Sequence, residues 1–463
     1  MGRFIVLDLS PTPPLEGEGP GRGNSKNMKI VNIVPGFGGT FYCGNCLRDN
    51  AFVRSLRELV HEAVILPLYL PLEMHGEATG KEAPVFYGAV SIYLRQQFPL
   101  FRHMPGWMEA LFDSRPLLKL AARKAGSTRA HGLEQLTESM LLGEKGNQRP
   151  ELERLVRFLK DHEKPDVVHF SNALLLGLAG MIREVVKVPV VCSLQDEDVW
   201  VDAMEPTWRD RIWKLMAEKG AGVDAFVSVS QWFAGVMQQK MKIPAGKMHV
   251  IPIGVQPESY SFSLPADTPQ AVGYLSRISE ENGFGVLTDA FILLKEDPRF
   301  ADLKLKVSGG MTGDDKPFLH AQVRKLREKG LMHQVEFRDD FTLAALQDFF
   351  RSLTILSVPV LKGEAFGLYQ VEALASGVPL VQPELGAFPE IIGSTGGGVL
   401  YKPNTPEALA EALARALCNR PALEQMSRDG RNAVEALYDC RKLAGTMVEL
   451  YLSKIRNPKI SLP

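Results

Sequence analysis

Nowhere in the 463-residue chain is there a run of the ~18 apolar residues that a membrane-spanning helix needs, so no such helix is expected. Excess charge of either sign is also missing. With 53 Lys and Arg against 54 Asp and Glu, the formal net charge is -1, which gives no case for nucleic acid or a strongly anionic surface. Cysteine is sparse. The five at 43, 46, 192, 418 and 440 are scattered and odd in number, which makes no disulfide framework and fits a reducing cytoplasm. Cys43-Gly-Asn-Cys46 has no second such pair and no spaced histidine pair, so a zinc ion would lack two ligands. Packing beneath the preceding glycine loop is the simpler role, with metal and redox roles left open. Asp196 and Asp198 match an Asp-x-Asp metal spacing, but alone this is a weak match, and no metal is expected. Residues 1–27 lack an apolar signal core and read as a disordered leader, with Met28 a fresh start and the physiological first residue. A cytoplasmic location is expected, with peripheral membrane contact left open.

What is present is an ordinary globular composition, 45% hydrophobic and 23% charged, long enough for two domains or more. Short β-branched runs alternate with helical patterns. Lys29–Val34 reads as a first buried strand, followed by the glycine turn Pro35-Gly-Phe-Gly-Gly-Thr40 and a helix near 50–59. Further strands are expected at 63–70, 85–93, 166–170, 188–194 and 224–230, a rhythm that argues for a parallel sheet. Between 96 and 149, Phe98, Phe101, Trp107 and their neighbours at helical spacing read as a packed helical insertion, or as an acceptor- or membrane-facing surface. A Ser- and Pro-rich linker is drawn at 257–269. Beyond it the rhythm restarts with Ala271–Arg277 and continues to a last helix at about 441–455.

The organising stretch runs from Thr354 to Gly377. Thr354–Val360 reads as a buried strand and Phe366–Ala375 as a helix, with Gly367 at the turn and carboxylates Glu364 and Glu372 on either side. The first amides of such a helix have no internal partner and, with the helix dipole, suit a phosphate or polarised sugar oxygen. The series Glu364-Ala-Phe-Gly-Leu-Tyr-Gln-Val-Glu372, then Ala375–Val381 and Gly386-Ala-Phe-Pro-Glu390, resembles the signature of family 4 (group 1) retaining glycosyltransferases of the GT-B fold.

That resemblance implies two Rossmann-like doubly wound parallel-sheet domains facing a cleft: an acceptor-side domain at 28–256 and a nucleotide-sugar-binding domain at 270–440. The chain's end, 441–463, would cross back to the first. It implies that Glu364 contacts donor sugar hydroxyls, Glu372 the ribose, and Phe366, Gly367 and Leu368 the diphosphate through their backbone. Gly38 and Gly39 fall where the family's loop faces the cleft, and Gln195 where a histidine often stands. Glutamine can hydrogen-bond a sugar hydroxyl but cannot serve as a base near neutral pH. Arg277 matches the family's first diphosphate-gripping cation, while Asn282 replaces the lysine five residues on. Losing such a cation from a desolvated site costs about 1.5–3 kcal/mol. Lys362, two residues before Glu364, is a candidate replacement.

The expected activity is metal-independent hexosyl transfer from a nucleotide diphosphate sugar, with retention, to a carbohydrate or lipid-linked acceptor. The nucleotide sugar is the substrate, and no cofactor is expected. The alternatives are a non-catalytic nucleotide-sugar-binding protein, favoured by Gln195 and Asn282, and a phosphorylase or epimerase on the same architecture.

Overall fold

Six short strands build the first sheet of the computed structural model, which describes residues 27–35, 44–68, 132–265 and 270–456. They are β1 Lys29–Val34, β2 Glu62–Pro67, β3 Val167–Phe170, β4 Val190–Leu194, β5 Ala225–Ser228 and β6 Met248–Val250. Their order is β2-β1-β3-β4-β5-β6, and every pairing is parallel. The strands β3, β4 and β5 are buried along their whole length, which is why they read as near-continuous apolar runs, broken by His169, Ser193 and Ser228, and not as alternation. Gly38, Gly39, Cys43, the strand expected at 85–93, the aromatic stripe after residue 96 and nearly all of residues 1–27 lie outside the described residues.

The second sheet repeats the plan with β7 Ala271–Leu275, β8 Lys304–Ser308, β9 Val335–Arg338, β10 Ile355–Leu356, β11 Leu380–Pro383 and β12 Gly398–Tyr401. Its order is β12-β11-β10-β7-β8-β9, again all parallel. In such a sheet the ligand crevice opens at the carboxyl ends of the strands where the winding reverses. Here that point lies between β7 and β10, whose outgoing loops carry Arg277 and Glu364.

Two local expectations are corrected. The strand expected at 354–360 pairs only over Ile355–Leu356. Past it, the Val358 N–H goes to the Gln382 side chain at 3.0 Å, and Pro359 has no N–H to give. The helix expected from Phe366 starts at Leu368, because Gly367 adopts a left-handed conformation (φ 77°) as its N-cap.

The chain crosses between domains twice, and the crossings are zipped together. Val255 N–H donates to Tyr438 O at 2.9 Å, and Cys440 N–H donates to Val255 O at 2.8 Å. Gly254 leaves room for this: a Cβ there would lie 2.6 Å from Tyr438 O and 2.8 Å from Cys440 N. After the second crossing, the Cys440–Arg456 helix packs on the Gly44–Glu58 helix of the first domain. Ala444, Met447, Leu450 and Tyr451 join Ile30, Val53, Leu56 and Val191 in one apolar cluster. At its edge Ser55 Oγ lies 3.1 Å from Cys440 Sγ, and Arg441 pairs with Glu58 at 2.6 Å.

Candidate active site

On the second-domain side, the loop after β7 is held by its own side chains. Tyr274 Oη donates to Arg277 O at 2.9 Å, and Asn282 Nδ2 donates to Ser276 Oγ at 3.0 Å and Arg277 O at 3.1 Å. Asn282 is therefore a staple of the loop. Gly283 (φ 76°) lets this loop meet the next one, since a Cβ there would lie 1.8 Å from Pro359 O. Leu361 N–H completes the join by donating to Glu281 O at 3.0 Å. The Arg277 guanidinium, partly exposed, stands 3.9 Å from both Asp315 and Glu281. The Asp315 carboxylate already accepts from the Thr312 N–H and hydroxyl. Lys362 is exposed on the neighbouring loop.

Glu364 follows on that loop. Tyr369, the second residue of the helix, places its hydroxyl 3.4 Å from Glu364 Oε2. Burial first, then the negative charge of Asp196 and of Asp198, push the Glu364 carboxyl up to about 8, against the downward pull of Tyr369. Asp196 and Asp198 belong to the other domain, on the turn after β4. Asp196 there holds a left-handed backbone (φ 57°), which aspartate adopts more readily than most non-glycine residues. Burial and the neighbouring Asp196 charge push Asp198 up to about 6. Three carboxylates from two domains therefore share one field at the cleft.

The turn carrying the aspartates is rigid. Glu197 is buried, and its two oxygens accept from Ala173 N–H at 2.8 Å and Gln195 N–H at 2.7 Å. Burial still pushes its carboxyl up to about 8. Gln195 donates through Nε2 to Ser171 O at 2.7 Å and accepts from Arg48 Nη1 at 2.6 Å. Its amide thus joins the loops after β3 and β4 to the Gly44–Glu58 helix. Arg48 also lines a cavity of about 40 Å³ with Phe52, Ser193, Ile253, Cys440 and Met447, beside the crossings and without Glu364.

Two hydrogen-bonded contacts tie the domains around Glu364. Ser230 Oγ donates to Ala365 O at 2.7 Å, and the Glu390 carboxylate accepts the Gln231 and Trp232 N–H groups at 2.9 and 3.2 Å. Glu390 thereby caps a first-domain helix, where a negative charge suits the unpaired amides and the dipole. Phe366 is buried against Tyr438 of the second crossing, ring centroids 5.9 Å apart, and its carbonyl accepts from Gln370 Nε2 at 2.5 Å. Gly367 and Leu368 form the start of the helix below it. Glu372, buried in the second turn, accepts from the Tyr260 hydroxyl at 2.7 Å.

His169 is buried within β3. Its ring bonds Tyr451 Oη at 2.5 Å and Ser193 Oγ at 2.8 Å. Burial and the nearby Arg48 charge hold it down to about 3, so it is neutral and structural. Among the described residues no cluster of three or more His, Cys, Asp or Glu side chains is arranged to hold a metal ion.

The sequence reading brought Arg277 and Glu364 to one crevice and placed Gln195 at its far wall. It missed Arg48, Ser230, Tyr260 and Tyr369. Tyr369 lies inside the quoted signature, so its i, i+5 reach to Glu364 was available. The others act across long chain separations, and Tyr260 stands in a stretch noticed only for serine and proline.

Two facing doubly wound parallel domains, crossed twice by the chain, with arginine, carboxylates and a helix start at the cleft, define the GT-B glycosyltransferase fold. The family model described as Glycosyl transferases group 1 matches residues 256–433, and that described as Glycosyltransferase Family 4 matches 126–259. The chain belongs to the family 4, group 1 glycosyltransferases. It is 28% identical over 187 residues to the lipopolysaccharide core biosynthesis mannosyltransferase LpsB of Rhizobium meliloti, covering 40% of this chain and 52% of that protein. Over 211 residues it is 31% identical to a phosphatidyl-myo-inositol mannosyltransferase of Mycobacterium leprae, covering 43% and 52%. These matches span about half the length of either relative. In fold it is similar to sucrose-phosphate synthase from Thermosynechococcus elongatus (TM-score 0.70, 16% identity, 92% of this chain and 99% of that one). It is also similar to Anabaena HepE in complex with UDP and glucose (TM-score 0.64, 16% identity, 92% and 100%).

Proposed function

We propose that this chain transfers a hexosyl group from a nucleoside diphosphate sugar to a carbohydrate or lipid-linked acceptor, with retention of configuration and without a metal ion. The observation that carries the reading is the placing of Arg277 and Glu364 on joined loops where the strand order reverses, with the start of the Leu368–Ala375 helix just beyond Glu364 and Asp196 and Asp198 of the opposite domain acting on it. Departure of the diphosphate leaves negative charge. A forked guanidinium and a helix N-terminus are preorganised donors for it. In this reading Glu364, whose raised pKa keeps it protonated near neutral pH before ligand arrives, meets a donor sugar hydroxyl, and Glu372 meets the ribose. The neutral acid can donate where an ionised carboxylate only accepts. Acceptor binds on the Gln195 side of the cleft. Domain closure excludes water from the reacting centre. Two relatives are named mannosyltransferases, so mannosyl donors head the candidates.

The test is a thermal-shift screen against UDP-, GDP- and ADP-sugars, since a ligand of the folded state raises apparent stability. Each hit is followed by release of free nucleotide with and without acceptor mixtures. A donor-specific shift with acceptor-dependent release is expected. No shift with any nucleotide sugar would overturn the reading.

A second reading, donor binding without turnover, is favoured by Asn282, whose amide is spent on Ser276 and Arg277 and brings no charge to the diphosphate. It predicts shift without release. The site acts in the cytoplasm in this proposal, with contact to a membrane surface confined to a lipid-linked acceptor. Among the described residues no helix is long and apolar enough to cross a membrane.

A further inference from the structure

The first crossing delivers Tyr260 to the second domain, where its ring is buried and meets Phe350 edge-on with centroids 6.4 Å apart. Its backbone is anchored independently. Arg431 Nη1 donates to Tyr260 O at 2.8 Å, Pro257 O at 3.0 Å and Ala375 O at 2.6 Å, and Gln347 Nε2 donates to Ser259 O. The hydroxyl is therefore not needed to hold the segment. It is directed at Glu372 Oε1, 2.7 Å away. Burial and the Glu372 charge push the phenol well up, so it remains an O–H donor across the physiological range. A glutamate has three side-chain torsions, and a hydrogen bond to one carboxylate oxygen fixes the plane in which the other presents itself.

We propose that Tyr260 is the positioning residue of the ribose site: its hydroxyl orients the Glu372 carboxylate for the vicinal hydroxyls of a donor ribose. The proposal rests on the reading of Glu372 as the ribose contact. It ties nucleotide recognition to the segment by which the chain first crosses between the domains, because Tyr260 lies five residues beyond Val255, the residue zipped to the second crossing.

The experiment measures dissociation constants of UDP, GDP and their 2′-deoxy counterparts by calorimetry on the full chain, for wild type, Tyr260→Phe and Glu372→Gln. Wild type prefers the ribonucleotide to the deoxynucleotide by about tenfold or more, the scale of one charge-assisted hydrogen bond. Tyr260→Phe keeps the ring, the Phe350 contact and the backbone anchors, so the protein still folds, with its melting temperature lowered by no more than the loss of one buried hydrogen bond. Its affinity for the ribonucleotide falls about tenfold while that for the deoxynucleotide is unchanged, and the preference collapses. A Tyr260→Phe protein that keeps the wild-type preference, or weakens both nucleotides equally, overturns the proposal. If Glu372→Gln loses the preference while Tyr260→Phe keeps it, only the Tyr260 role is lost and the site stands. If Glu372→Gln keeps the preference, or wild type shows none, the ribose reading of Glu372 falls and the Tyr260 proposal with it.

Discussion

Both the seam between the last helix and the first domain and the cleft between the domains hold buried ionisable groups, but the two regions treat them in opposite ways. In the seam, His169 has a partner on each ring nitrogen and is surrounded by apolar contacts, so the neutral ring is fully satisfied. In the cleft, Glu364 meets the Tyr369 hydroxyl at 3.4 Å and the Ala365 backbone, and lies in the field of Asp196 and Asp198. The first arrangement stabilises one packing of the chain. The second keeps a carboxyl whose ionisation burial and neighbouring carboxylates penalise, a pattern typical of sites built to receive a ligand. The Tyr260–Glu372 pair is intermediate, since one carboxylate oxygen serves the fold and the other is oriented by it.

The contrast can be broken most sharply at Glu364. Glu364→Ala is expected to abolish transfer, by at least about a hundredfold in rate, with the melting temperature unchanged or higher, since it removes a carboxylate from a repulsive field. Acceptor-dependent nucleotide release and a melting curve check this; unchanged turnover would remove Glu364 from the mechanism. Next in size, Arg277→Ala should weaken nucleoside diphosphate binding about ten- to a hundredfold, from the ~1.5–3 kcal/mol of a charged hydrogen bond, with Arg277→Lys recovering only part because the fork is lost. Calorimetry with UDP and GDP reads it out. Asn282→Lys should raise diphosphate affinity, by about tenfold at most, because the new cation arrives at the cost of the Ser276 and Arg277 staple. A loss of affinity would show that the staple matters more than the charge.

A further effect concerns pH, and the two regions give opposite signs. Glu364 stands at about 8 in the folded chain against 4.5 as a model group, so between these values the folded state keeps a proton that the unfolded state gives up. Its contribution to stability therefore declines as pH rises from about 4.5 to 8. His169 stands at about 3 against 6.5, so the unfolded state binds a proton that the folded state refuses. Stability is lost as pH falls from about 6.5 towards 3. Melting temperature against pH should flatten on the upper range in Glu364→Gln and on the lower range in His169→Gln. Equal slopes in wild type and either variant would place that residue's titration elsewhere.

Much of the architecture was legible before the fold was seen. Buried parallel strands are apolar over their whole length, and helices show their period locally, so the two repeating sheets could be read from β-branched runs and spacing. The reversal of strand order could not, yet it is what sets the loops of Arg277 and Glu364 side by side. Boundaries failed where a single residue decided them, as when Gly367 turned left-handed and moved the helix start from Phe366 to Leu368. In the sequence, Gln195 and Asn282 stand where the resembling family usually carries histidine and lysine. The structure gives each a hydrogen-bonding task within its own loop, a role that depends on which carbonyl lies nearby.

The sequence by itself determined the class of fold, the family, and the residues gathered at the second-domain crevice, because periodicity and ordered motifs are local properties of the chain. Only the tertiary structure decided what those residues face. Ser230 meets Ala365 across 135 positions, Tyr260 meets Glu372 across 112, and His169 meets Tyr451 across 282. Such pairs leave no periodic trace, since each is fixed by the packing of whole domains and by the two crossings that hold them in register.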